Sequence, residues 1–142
     1  MSKILIIEDE ESIRRVLKKV LIEENNKYQF IEASDGVQGI EKIKSNKFNL
    51  ILCDIKMPKK DGIEVLQFII KECPEVPVIM ISGHGDLETA VESMRLGAFD
   101  YISKPPDLNR LLNSVRSALK NNDFTKKSRS NLKMSKEFEI IG

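Results

Sequence analysis

The first 118 residues alternate short unbroken apolar runs with longer stretches in which apolar residues recur at helical spacing. Lys3–Ile7 is the first run, Tyr28–Ala33 a weaker second, Asn49–Cys53 a third, Val76–Ile81 a fourth and Ala98–Ile102 a fifth. Runs of this length without alternation fit strands buried on both faces, hence a parallel sheet. Between them, Ile13, Val16, Leu17, Val20 and Leu21 form an apolar stripe, with Asp9 as the expected cap. Val37, Ile40 and Ile43 form the next stripe, after Asp35, and Ile63, Leu66, Ile69 and Ile70 form the third. Leu87, Ala90, Val91 and Met94 form the fourth, capped by Asp86 and stopped at Gly97. Leu108, Leu111, Leu112, Val115 and Leu119 form the fifth, capped by Asp107.

The pattern is βα repeated five times. Right-handed crossovers then place helices on both faces of one sheet. The expected fold is α/β: a five-stranded parallel sheet of order 2-1-3-4-5, the flavodoxin-like (βα)5 arrangement.

Composition narrows the class. The chain has 142 residues, 41% hydrophobic and 32% charged, with a formal net charge of +1. That balance disfavours a whole-chain nucleic-acid binder, which carries a basic excess. No apolar run approaches the ~20 residues of a membrane span, and no signal-peptide pattern precedes the first strand, so a cytoplasmic protein is expected. Cys53 and Cys73 make neither a disulfide framework nor a zinc site and read as reduced, largely buried thiols. With one histidine, His84, any metal here is held by oxygen, which points to a hard cation such as Mg²⁺. The tail is basic, with Lys120, Lys126, Lys127, Arg129, Lys133 and Lys136 against three acids. Residues 121–136 read as a linker, and Phe138–Gly142 turns apolar again, as at the start of a further domain.

Candidate chemistry collects at the strand ends. In open α/β sheets ligands bind outside the carboxyl ends of the strands. Glu8, Asp9 and Glu10 follow the first strand, Asp54 the third, Ser82 the fourth and Lys104 the fifth. Each alone has an ordinary reading, as a charged helix start, a strand end, a turn or a loop. Together they supply carboxylates that need a cation, a compact positive charge and a hydroxyl. That set suits phosphoryl transfer, with Asp54 on the central strand as the candidate nucleophile.

The motifs Ile7-Glu8-Asp9-Glu10, Asp54-Ile55-Lys56-Met57-Pro58-Lys59-Lys60-Asp61-Gly62, Ser82-Gly83 and Gly97-Ala98-Phe99-Asp100-Tyr101-Ile102-Ser103-Lys104-Pro105, in this order, resemble the receiver domain of two-component response regulators. The resemblance covers about residues 1–120. It implies that Asp54 is the phosphoacceptor. It further implies that Asp9, Asp54 and the backbone carbonyl of Lys56 ligate Mg²⁺, with Glu8 acting through water. Ser82 and Lys104 would bind the phosphoryl oxygens, Tyr101 would be the aromatic switch, and the Lys104–Pro105 bond would be cis. The implied partner is a sensor histidine kinase, and the implied response a homodimer formed on phosphorylation. The domain would catalyse only its own phosphorylation and dephosphorylation.

Ser82-Gly83-His84-Gly85, Thr89-Ala90-Val91 and Gly97–Tyr101 are similar to receivers of NtrC-type sigma-54-dependent transcriptional activators. There a linker, an AAA+ ATPase and a DNA-binding domain follow. Residues 137–142 would be the start of that ATPase, cut short; Glu139-Ile140-Ile141-Gly142 is similar to its opening. DNA and sigma-54 RNA polymerase would be reached only through domains outside this chain, which has no phosphate-binding loop or helix-turn-helix. Pro106 departs from the subfamily's usual apolar residue. Lys56 and His84 occupy variable positions and are expected to tune dephosphorylation. A stand-alone receiver acting by protein contact is the alternative. A haloacid-dehalogenase-type phosphotransferase needs a second acid where Lys56 stands. A flavodoxin-like cofactor binder needs a phosphate loop where Glu8-Asp9-Glu10-Glu11 would repel phosphate.

Overall fold

A computed structural model describes residues 2–83 and 87–120. Five strands, β1 (Lys3–Ile7), β2 (Gln29–Ala33), β3 (Leu50–Asp54), β4 (Val78–Ser82) and β5 (Asp100–Ser103), alternate with five helices. The helices are α1 (Glu11–Glu24), α2 (Gly36–Ser45), α3 (Gly62–Glu72), α4 (Leu87–Leu96) and α5 (Leu108–Lys120). All strand pairs are parallel, as the apolar runs predict, and the order is β2-β1-β3-β4-β5, that of the expected flavodoxin-like arrangement. The expected linker, the fragment at 137–142, His84 and the Asp86 cap lie outside the described residues.

Alternate residues of the strands fill two cores. Leu5, Ile7, Ile51, Cys53, Val78 and Met80 pack beneath α2 and α3 with Val65, Leu66 and Ile69. Ile4, Ile6, Leu50, Leu52, Ile79, Ile81 and Ile102 pack beneath α1 and α5 with Leu17, Leu21, Leu111 and Val115. Every residue of β3 and β4 is buried, which is why those segments lack a polar alternation.

Among the described residues the starts of α2 and α5 follow the sequence, α3 has a cap it did not name, Asp61, and α1 departs from it. Asp35 accepts from the Gln38 amide at 2.8 Å, Asp61 from Glu64 at 3.0 Å and Asp107 from Arg110 at 3.1 Å. Gly97, at φ 113°, ends α4 in a backbone conformation that favours glycine. At α1 the cap position is Glu10, not Asp9, and no side chain caps it. Asp9 lies one residue too early, and its carboxylate groups instead with Glu8 and Asp54.

Helix α4 departs further. Its predicted stripe faces outward, with Leu87 78%, Val91 56% and Met94 46% exposed. Ser93 is the residue α4 buries, at 0% exposure. Helical periodicity marks an apolar face without saying whether the domain itself covers it. Cys53 is fully buried as expected, whereas Cys73 is half-buried; burial pushes both thiols up, so neither is a ready nucleophile.

Candidate functional site

The parallel sheet brings the ends of β1, β3, β4 and β5 to one edge. β1 hands directly to Glu8, whose amide donates to the Ala33 carbonyl at 3.0 Å and so continues the pairing with β2. Glu8 is buried to 2% exposure and Asp54 to 6%. A carboxylate oxygen from each of Glu8, Asp9 and Asp54 lies within 4.8 Å of the others. Asp9 is exposed, so the cluster opens to solvent on its side.

Lys104 reaches across from the end of β5. Its ammonium donates to a Glu8 carboxylate oxygen and lies 3.3 Å from Asp54 Oδ1. Its amide donates to the Ser82 carbonyl at 2.8 Å, joining the two loops. A Cβ at Gly83 would lie 3.7 Å from the Lys104 stem, an ordinary contact, so this loop runs alongside the lysine. The Lys104–Pro105 peptide is cis. Asp54 Oδ1 also accepts from the Ile55 amide at 2.9 Å.

The electrostatics follow from three carboxylates around one ammonium. Burial pushes Glu8 up, Lys104 pulls it down, and Asp9 and Asp54 push it up again, leaving it at about 7. Burial lowers Lys104, but Glu8 and Asp54 outweigh it and hold the ammonium above its ordinary range. The cluster thus has room electrostatically for one more cation. Its donors are all oxygen, which fits Mg²⁺ and not a metal that prefers nitrogen or sulfur.

Ser82 is 2% exposed at the end of β4. Tyr101 pairs in register with Met80, two residues before Ser82, so Ser82 and the Tyr101 ring belong to one face of the sheet. Tyr101 packs against the core beneath α3, and its hydroxyl is buried with no hydrogen-bond partner among the described residues. Lys56 stands exposed in the β3–α3 connection and takes no part in the ion pairs of the cluster. That connection is pinned by the Gly62 amide, which donates to the Ile55 carbonyl at 2.7 Å. A Cβ at Gly62 would meet the Asp54 carbonyl oxygen at 2.1 Å, so only glycine permits this approach.

Arg14 has no counterpart in the sequence reading. One turn into α1, its Nη1 donates to the Glu8 carbonyl at 2.6 Å and its Nε to Glu32 at 3.1 Å. An arginine in a charged helix start carries no signal of such a contact. A cavity of about 660 Å³ near Phe48 and Cys73 sits at the opposite ends of the strands and contains none of these groups.

A buried acid cluster, lysine and serine on the carboxyl edge of a 2-1-3-4-5 sheet define a regulatory module of the receiver class. The chain belongs to the response regulator receiver domain family, whose sequence model matches residues 4–116. Phosphorylation-controlled switching is the general function of that family.

Among its relatives, the transcriptional regulatory protein ZraR of Klebsiella oxytoca is 36% identical over 116 residues, 82% of this chain and 26% of that protein. The nitrogen assimilation regulatory protein NtrX of Azorhizobium caulinodans is 36% identical over 141 residues, 98% of this chain and 31% of its own length. The crystal structure of the NtrX receiver domain from Brucella abortus is similar at TM-score 0.76 and 37% identity, covering 82% of this chain and 98% of that one. The chain spans 24% to 31% of the length of the curated relatives it matches.

Proposed function

We propose that this domain is a phosphorylation-activated switch in which Asp54 accepts a phosphoryl group from a phosphohistidine of a sensor kinase. The observation that carries the reading is the double contact of Lys104 with Glu8 and Asp54. It sets a fixed cation beside the nucleophile, at the position where charge on a transferring phosphoryl group develops. An oxygen of Asp54 attacks phosphorus in line as the phosphorus–nitrogen bond breaks, and the imidazole leaves with the bonding pair. Lys104 and the Ser82 hydroxyl then hold the phosphoryl oxygens. Asp9, Asp54 and the Lys56 carbonyl would hold Mg²⁺, with Glu8 acting through water, and the ion supplies charge neutralisation that lets two anions approach. Lys56, two residues past Asp54, and His84, two residues past Ser82, tune its lifetime.

Inward movement of Ser82 toward the new oxygens vacates part of the sheet face it shares with Tyr101, and the ring, whose hydroxyl is already buried, repacks into that space. The surface of α4, β5 and α5 is remodelled as a result. The phosphoryl group need favour the active arrangement by only a few kcal/mol to turn a minor population into the major one. Leu87, Val91 and Met94 supply an exposed apolar face for the homodimer that forms in response. The kinase meets this domain in the cytoplasm. The relatives' names favour transcriptional regulation as the output, carried by ATPase and DNA-binding domains beyond this module.

Incubation with acetyl phosphate and Mg²⁺, read by intact mass, tests the reading. The expected result is one phosphoryl adduct, lost in Asp54→Asn and lost without Mg²⁺. A folded wild-type protein that stays unmodified would overturn it.

A further inference from the structure

We infer that Arg14 is a positioning residue for the cation site, fixing the Glu8–Asp9 peptide so that both carboxylates converge on Asp54. This rests on the Mg²⁺ site proposed above.

The β1–α1 connection needs such a support. It gathers carboxylates that repel one another, and α1 begins without a side-chain cap. The Glu8 amide is held by Ala33 and Glu8 Oε1 by Lys104. Within the connection, Oε2 takes only a long bond of 3.4 Å from the Glu10 amide, which leaves the Glu8 carbonyl as the point still to be fixed. Arg14 supplies what is missing. Its Nη1 donates to the Glu8 carbonyl at 2.6 Å, a charge-assisted bond to the main chain of the peptide that leads into Asp9. Its Nε donates to Glu32 on β2 at 3.1 Å, so one planar guanidinium spans the loop and the edge strand. The arginine side chain is only 14% exposed, which confines it to this arrangement.

Glu32 is anchored in turn. Its second oxygen accepts from Lys18, one turn further along α1, at 3.1 Å. Burial pushes Glu32 up, but Lys18 and Arg14 outweigh it and keep the carboxyl below its ordinary range, hence charged at neutral pH. Strand β2 contributes no group to the acid cluster, yet through Glu32 it orients the residue that orients the loop. Partners that orient metal ligands in this way commonly change metal affinity about 10–100-fold when removed.

The test is an Mg²⁺ titration of ¹⁵N-labelled protein, following amide shifts, beside a urea midpoint measured in chelator. Arg14→Met should weaken Mg²⁺ about tenfold. Arg14→Lys should resemble it, because one ammonium cannot span both acceptors. Glu32→Gln, the milder variant that protects the test if Arg14→Met unfolds, should weaken Mg²⁺ about threefold and add nothing in the Arg14→Lys background. Variants with lowered urea midpoints but wild-type Mg²⁺ affinity would make Arg14 a structural residue only and overturn the inference. A wild-type protein that binds no Mg²⁺ would instead remove the proposed site itself, and the inference with it.

Discussion

Ser93 sits in the middle of α4 with no exposed surface, and its hydroxyl has no hydrogen-bond partner among the described residues. Its carbonyl is used, accepting from the Ala98 amide at 3.0 Å, so the unmet demand is confined to the side chain. Removing the oxygen as Ser93→Ala leaves the Cβ in place and opens no cavity larger than one atom. Two effects then add. A buried hydroxyl without a partner costs about 1–3 kcal/mol of desolvation. Serine is a poorer helix former than alanine by about 0.5 kcal/mol. Since the loss of one oxygen's packing contacts offsets part of this, the expected gain is about 1–2 kcal/mol. At about 4 °C per kcal/mol for a domain of this size, the melting temperature should rise by several degrees. Urea unfolding followed by circular dichroism should show a higher midpoint at unchanged slope. Ser93→Thr keeps the hydroxyl and adds a methyl to a packed position, and should lower stability by about 1–3 kcal/mol. A loss of stability in Ser93→Ala would refute the reasoning, because it would mean that the hydroxyl is bonded in solution.

The acid cluster gives a pH dependence with a defined sign. Glu8 stands at about 7 when folded against an ordinary value of 4.5, so the folded state binds its proton more tightly than the unfolded chain. Its contribution is full below about 4.5 and is lost as pH rises through 7, on the order of 3 kcal/mol in chelator. Glu8→Gln should flatten that decline in urea midpoints between pH 5 and 8, and a decline unchanged in the variant would contradict the assignment. Asp100 has the opposite sign. Burial raises it, but Arg110, Ser114 and the Tyr101 amide hold it below its ordinary range. It therefore stabilises above its unfolded value and stops doing so as pH falls through the folded one. Asp100→Asn should make stability less sensitive to acid below pH 4, read by midpoints against pH. Gly62→Ala should lower stability by about 3 kcal/mol or more and shift the Asp54 amide resonance, since its Cβ would meet main-chain atoms that cannot rotate away. A variant of wild-type stability would show that the Asp54–Gly62 approach is looser than 2.1 Å implies.

Much of this was legible in the sequence, for physical reasons. β3 and β4 are buried on both faces, so they are apolar up to their last residues, Asp54 and Ser82. The strand count and site-bearing ends followed from the five runs, whereas the order came from the known flavodoxin-like arrangement and not from the runs. Glu8, Asp54, Ser82 and Lys104 were locatable because a parallel sheet delivers every strand's carboxyl end to one edge. Boundaries slipped by a residue or two where the sheet's register, not hydrophobicity, decides the end. β4 runs on through Ser82 because Ser82 pairs with Ser103. The outward apolar stripe of α4 was not legible, because periodicity carries no information on which face the rest of the domain covers. Arg14 escaped for a related reason. Its partners, Glu8 and Glu32, lie on different strands, and only the pairing of β1 with β2 brings them together.

The central claim is that one carboxylate, Asp54, carries the phosphoryl group. An aspartyl phosphate is an acyl phosphate, which borohydride reduces to homoserine, so the modified position can be read directly. The protein would be treated with acetyl phosphate and Mg²⁺, reduced, digested and sequenced by tandem mass spectrometry. Homoserine at position 54 and nowhere else is the predicted result. Homoserine at position 9 or 61 with Asp54 intact would contradict the account, as would its absence from a protein that had gained the mass of a phosphoryl group.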